Sequence, residues 1–337
     1  VVKQNFSDEG ILKIIHSFGI NFIFQMEQLN THPLYRKHNL DSAMGSLWDF
    51  YKQRFLPLFI ASFIISLIIQ YASSLINFQE LTTTTDPMIV LEKIRSLALP
   101  LLGISVVNLL LNAILQYYVL YNPIDRSTGF LASAMKTIKY LIPYFIIMIL
   151  LAVIASFAIV IGIILLVIGV VFSVVYVMSL YLLILPILMV EGTNIGHVIS
   201  RVFSLLHRSF WPTIGWVSVF IILMLVISIV TSGIVLIPFT GTFIKGVMNP
   251  AEASDLVTLA RNPLYIILSA LAGALVVPIV PIFSCILYFN GVAKEQTPVI
   301  TREEEPENRP LRVEDLYAKP YSDDHPDNPE KKTDQQD

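Results

Sequence analysis

Apolar residues along this chain come in blocks. Stretches of 20 to 50 residues run without a single Asp, Glu, Lys or Arg. A hydrocarbon core of roughly 30 Å is crossed by about 20 helical residues, so blocks of this length read as membrane-spanning helices. On that scale the pattern predicts six spans, near residues 56–78, 97–121, 140–163, 166–190, 211–238 and 263–290. The third and fourth share one uncharged block, Leu141 to Val190, which is too long for a single tilted helix and must fold back. Gly162 and Gly169 bracket the expected reversal, since glycine reaches left-handed conformations without steric cost.

The polar stretches between blocks have their own pattern. Before the first span, Asp41-Ser42 precedes Met44, Leu47, Trp48, Tyr51 and Phe55, with Lys52 and Arg54, and the segment ends at Phe55-Leu56-Pro57. Before the third span, Ser127 precedes Phe130, Leu131, Ala134, Met135 and Ile138, with Lys136 and Lys139, ending Leu141-Ile142-Pro143. Before the fifth, Asn194 precedes Ile195, Val198, Ile199, Val202, Leu205 and Leu206, with Arg201 and Arg208, ending Phe210-Trp211-Pro212. Apolar spacings of three and four put one stripe on each helix. The expectation is three parallel units, each an interfacial amphipathic helix followed by a transmembrane hairpin. Proline at each junction is expected to break the interfacial helix from the span.

Composition agrees with this reading. At 55% hydrophobic, 14% charged and mean hydropathy +0.70, the 337-residue chain is far from the roughly 25% charged residues of a soluble domain. The expected fold class is all-α integral membrane. Three regions follow: an N-terminal segment 1–39, a six-span membrane domain 40–292 and an acidic tail 293–337. Val1 is not a methionine, and two alternatives stand for the first residues: a start at Met26, or an extra interfacial helix around Ile11 to Phe24.

Charge sets the expected orientation. Lys and Arg number six in 1–55, three in 122–139, two in 191–210 and seven in the tail, against two in 79–96, none at the hairpin turn and two in 239–262. Positive charge is retained on the cytoplasmic side, so both termini are assigned there, most simply across a bacterial inner membrane. The net charge of −3 conceals a tail with 13 acidic and 7 basic residues. Such a tail argues against nucleic acid as a partner, and its Pro, Asp and Asn content predicts disorder. Leu311 to Tyr317 is its one stretch apolar enough to dock on a partner protein. The segment Asn249-Pro250 to Leu259 predicts a short external helix.

Part of the third unit resembles a known family. Pro186-Ile187-Leu188-Met189-Val190-Glu191, Ile199-Ser200-Arg201-Val202-Phe203-Ser204-Leu205-Leu206 and Ser209-Phe210-Trp211-Pro212-Thr213-Ile214-Gly215 are similar to the membrane domain of glycerophosphoryl diester phosphodiesterases and of related stand-alone bacterial membrane proteins. The resemblance is sharp over about 30 residues and implies a membrane anchor or lipid-associated module. It does not imply hydrolysis. The barrel that carries that chemistry needs about 250 residues, and His207-Arg208 is followed by Ser209 where the family's catalytic pattern has glycine.

Candidate chemistry is sparse. No ionisable residue lies within a span, which argues against a proton-coupled pump, and no Gly-rich Lys-Ser/Thr loop suggests ATP. The six histidines and Cys285 show no ligand spacing, so no metal or cofactor is expected. Asn108, Asn112 and Gln116 recur every four residues on one face of the second span. They form either a groove for a polar headgroup or hydrogen bonds that fix helix packing. Glu191 closes the fourth span and either pairs with Arg201 or meets a polar ligand. Arg201 and Arg208 are expected to reach lipid phosphate or to anchor their helix at the interface. Pro278 and Pro281 predict a kinked last span. Two functions fit these features: a non-enzymatic scaffold or accessory subunit of a membrane complex, whose tail meets a partner, or a lipid or amphiphile transporter or binder.

Overall fold

A computed structural model describes residues 29–76, 87–248 and 258–296. The alternatives for the first residues and the acidic tail beyond Gln296 lie outside these, as does most of the expected helix at 249–259. Among the described residues every regular element is helical, and six helical stretches are long and apolar enough to cross a membrane.

The order is α1 (Leu40–Gln53), α2 (Phe55–Ser74), α3 (Pro87–Tyr121), α4 (Phe130–Ile164), α5 (Leu166–Val190), α6 (Ile195–Arg208), α7 (Phe210–Leu236), a 3-10 turn (Ile237–Phe239), α8 (Thr240–Met248), α9 (Pro263–Val276) and α10 (Ile279–Glu295). The sixth span is α9 and α10 together, interrupted at Val277 and Pro278, which keep helical dihedrals. Proline removes a backbone donor and crowds the preceding turn, which accounts for the interruption. At about 1.5 Å per residue the 35-residue α3 and α4 are longer than a bilayer core, and α3 carries Glu92, Lys93 and Arg95 in its first turns.

The three expected units differ. α1 is capped by Asn39, whose side chain accepts from Ser42 N at 2.8 Å while Ser42 Oγ accepts from Asn39 N at 2.9 Å. α6 is capped by Asn194, which accepts from His197 N at 3.1 Å. Both are separate helices, with breaks at Arg54 and Ser209, and Pro57 and Pro212 sit in the first turn of the next helix, where their missing N–H costs nothing. In the second unit there is no break: α4 runs through Pro143 as one helix. The stripes also face differently. Ala43, Leu47 and Phe50 of α1 and Val198, Val202 and Leu206 of α6 are buried against the bundle, not directed toward lipid. Only on α4 do Leu131, Met135 and Ile138 face outward, leaving Ser133, Thr137 and Tyr140 inside.

The hairpin between α4 and α5 turns through Leu165 and Leu166, and Leu166 has φ +62°. The left-handed residue is therefore a leucine, not either glycine. Gly162 and Gly169 are helical, and they let the two backbones touch: a Cβ on Gly169 would lie 2.5 Å from the Gly162 carbonyl oxygen. α2 and α9 approach in the same manner, with a Gly273 Cβ meeting Ser66 Oγ at 2.7 Å.

The bundle is solid at one end and open at the other. α10 is its axis, packed on α1, α3, α5 and α6 and buried almost throughout from Ile279 to Val292. Phe220 and Phe283 stack at 4.0 Å, and Tyr121 and Tyr140 both donate to the Met189 carbonyl, at 3.0 and 3.4 Å. Residues 29–39, expected as an N-terminal segment apart from the membrane domain, plug this end: Leu29, His32, Leu34 and His38 are buried, and His38 N donates to Asn290 Oδ1 at 3.0 Å. Toward the opposite end, around the α4–α5 turn, large apolar side chains such as Ile164, Leu166 and Ile168 are exposed, and the helices separate enough to leave cavities.

Candidate functional site

The six residues singled out from sequence fall into two places. Glu191, Arg201 and Arg208 meet at the solid end. Asn108, Asn112 and Gln116 run along α3 toward the open half.

At the solid end, Arg201 bridges two carboxylates. Its Nε donates to Glu191 Oε1 and Oε2 at 3.1 and 2.9 Å, and Nη1 and Nη2 donate to Glu295 at 2.9 and 2.5 Å. Arg208 adds a second cation 3.3 Å from Glu295. Tyr288 Oη donates to Glu191 at 3.1 Å, and His197 Nε2 lies 3.3 Å from the same carboxylate. The Glu191 side chain is 3% exposed. Burial opposes the charge on Arg201, but its hydrogen bonds to Glu295 and Glu191 outweigh that and raise its pKa above the ordinary guanidinium range. The cluster ties α6 to the ends of α5 and α10. With Nε and both terminal nitrogens committed to carboxylates, Arg201 is a clamp inside the protein. His207, exposed on α6, stacks between Phe203 and Phe210 at 5.9 and 5.7 Å.

The amides occupy a different environment. Asn108 and Asn112 line a chamber of about 360 Å³ between α2, α3, α5, α7 and the α9–α10 junction, with Ser66, Gln70 and Tyr181 as its other polar side chains. Asn112 lies nine residues from the α3 terminus at Tyr121, roughly 14 Å along the helix and so near mid-membrane. Its Nδ2 donates to the Asn108 carbonyl at 2.9 Å and to Asn108 Oδ1. That arrangement leaves the Asn108 amide N–H groups as donors and Asn112 Oδ1 as an acceptor for a ligand.

Gln116, one turn deeper, belongs to the floor. It is buried, donating at 3.0 Å to Cys285 Sγ and at 3.4 Å to the Pro281 carbonyl. Below it Ser284 donates to the Leu182 carbonyl, and the solid core begins. The three amides thus divide: two form a cavity wall, and one fixes packing.

Toward the open end the chamber continues into a vestibule of about 330 Å³, sharing Gln70, Gly273, Val276 and Val277 and adding the hydroxyls of Ser228, Thr231, Ser232 and Ser269. Both volumes lie within the range of small-molecule sites. Among the described residues that line the two, none is charged. No three described His, Cys, Asp or Glu residues are placed to hold a metal ion.

Sequence reasoning missed Gln70, Ser66, Tyr181, Tyr288 and Glu295. Gln70 carried a signal, as an amide within the apolar first span. Glu295 did not, because it reads as the start of the acidic tail. Comparison with protein families, with curated proteins and with solved structures finds no match for this chain.

Proposed function

We propose that this protein is a non-enzymatic, multi-pass membrane protein that binds an amphiphile, as carrier or receptor, in the chamber lined by Asn108 and Asn112. One observation carries the reading: a cavity of about 360 Å³ near mid-membrane with amide and hydroxyl side chains on its wall. Polar groups facing a membrane cavity are costly unless something hydrogen-bonds to them. A ligand entering from the membrane would meet them with its polar part. The likeness of residues 186–215 to the membrane domain of glycerophosphoryl diester phosphodiesterases is compatible with a lipid-associated role. So is the outward apolar stripe of α4, which would lie in the headgroup region. The alternative, a scaffold or accessory subunit that recruits a partner, rests on the tail beyond residue 296.

The expected result is that Asn108→Leu/Asn112→Leu retains at least about fivefold less co-purified lipid, since each lost hydrogen bond is worth about 1 kcal/mol. Insertion should be unchanged, because the span becomes more apolar. Native mass spectrometry of protein purified in matched mild detergent measures this. Retention equal to the unsubstituted protein would reduce these amides to packing elements and return the scaffold reading.

The orientation belongs to the same proposal: the solid end, with α1 and α6, faces the cytoplasm across a bacterial inner membrane, and the charge count assigns both termini to that side. Native Cys285 is fully buried and gives no background. A cysteine at Arg261 is expected to react with an impermeant maleimide in intact cells, and one at Ser127 only after permeabilisation. The opposite pattern would invert the assignment.

A further inference from the structure

A second cavity adjoins the chamber. It has a volume of about 370 Å³, lies between α4 and α5, and is lined by Leu151, Ala152, Ala155, Ile159, Val177 and their apolar neighbours. Met178 and Tyr181 line both spaces and stand between them. One space is hydrocarbon-like, and the other carries amides and hydroxyls. The juxtaposition is that of a chain and a head.

Building on the amphiphile reading, we propose that the ligand class is an uncharged amphiphile with a hydroxyl-bearing head, such as a diacylglycerol or a long-chain alcohol. Its head occupies the Asn108–Asn112 chamber and an acyl chain lies along the α4–α5 groove. Charge decides the head. Among the described residues lining chamber, vestibule and groove there is no Lys or Arg to meet a phosphate, and no Asp or Glu to meet an ammonium. An ion brought to mid-membrane without a counter-charge loses more hydration than neutral amides return. Arg201 and Arg208, at the solid end, are paired with Glu191 and Glu295. A hydroxyl, by contrast, both donates and accepts. It matches the pair that the Asn112-to-Asn108 hydrogen bond leaves available, an acceptor on Asn112 and donors on Asn108.

The groove decides the chain. Its lining is apolar apart from Tyr181, and Ala152 and Ala155 keep it from being filled by larger side chains. Chamber and groove together explain why Met178 sits at the junction: a flexible thioether adapts to a chain of variable contour.

The test uses the full chain in nanodiscs of zwitterionic lipid, with two fluorescent probes of identical acyl chains, a diacylglycerol and the corresponding phosphatidic acid. Binding is read by resonance transfer from the protein's tryptophans, and folding of each variant by its thermal unfolding profile. The expected result is at least tenfold tighter binding of the diacylglycerol. That binding should weaken at least fivefold both in Asn112→Leu, which removes the head contact, and in Ala155→Phe, which fills the groove. Equal or tighter binding of phosphatidic acid that is still lost in Asn112→Leu would overturn the uncharged-head assignment and leave the amphiphile reading standing. Loss in Asn112→Leu with no change in Ala155→Phe would overturn the placement of the chain. Binding of neither probe, or binding indifferent to both variants in folded protein, would overturn the amphiphile reading itself.

Discussion

Replacing Arg201 with methionine is expected to destabilise the protein by about 3 kcal/mol, at the low end of what removing one partner from a buried ion pair costs. The reason lies in what is left behind. Glu191, its side chain 3% exposed, would keep only Tyr288 and a half-exposed His197. Glu295 would keep Arg208 at 3.3 Å, so its loss is smaller. Pairing the change with Glu191→Gln removes the stranded charge and is expected to recover a large part of the loss, because a neutral amide can still hydrogen-bond to Tyr288. Urea or thermal unfolding of the two variants in matched detergent measures both effects. The same experiment decides between a clamp and a lipid contact. An Arg201→Met protein of unchanged stability that retains less anionic lipid would show that this guanidinium works on phosphate.

Acid is expected to loosen the plug formed by residues 29–39. His32 is 2% exposed, lies between Phe50 and Phe289, and accepts from Leu34 N through Nδ1 while Nε2 meets the Val119 carbonyl at 3.1 Å. The ring is thus neutral, with its proton on Nε2. A second proton would have to go on Nδ1, against the Leu34 N–H. Burial lowers its pKa from 6.5 to about 4; the Val119 hydrogen bond works the other way, and the Arg54 charge adds to the lowering. A histidine depressed in the folded state is bound by more protons when unfolded. Its contribution is therefore complete above pH 6.5 and lost as pH falls toward 4. A shift of this size corresponds to about 3 kcal/mol. His38 is displaced in the same direction, chiefly by burial, and adds to the slope. Comparing unfolding of the native chain and His32→Gln from pH 7 to pH 4.5 isolates the effect: the native chain should lose stability faster. Parallel pH profiles would show that the ring is not buried as described.

The six spans were legible because their signal is local. A run of apolar residues about 20 long has one stable place regardless of what it packs against, so the boundaries near 56, 166 and 190 recur in the helices to within a residue or two. The interruption at Pro278 was legible for the same reason, since proline acts on its own turn. Proline at 143 was not. Whether a missing hydrogen bond breaks a helix or is carried within it depends on what the flanking turns pack on, and α4 continues where α1 and α6 stop.

The fate of the polar residues required the tertiary structure. Asn108, Asn112 and Gln116 are equivalent in spacing, yet the approach of α10 buries Gln116 against Cys285, and the separation of α2, α5 and α7 leaves the other two on a cavity wall. Arg201 could equally have faced phosphate until the end of α10 brought Glu295 to it. The sequence by itself determined which segments leave water and where they turn, because transfer free energy is a property of each segment alone. Which amide is satisfied, which arginine is committed and where the bundle stays open are differences between neighbours distant in sequence, and only the packing of α10 against the other helices decided them.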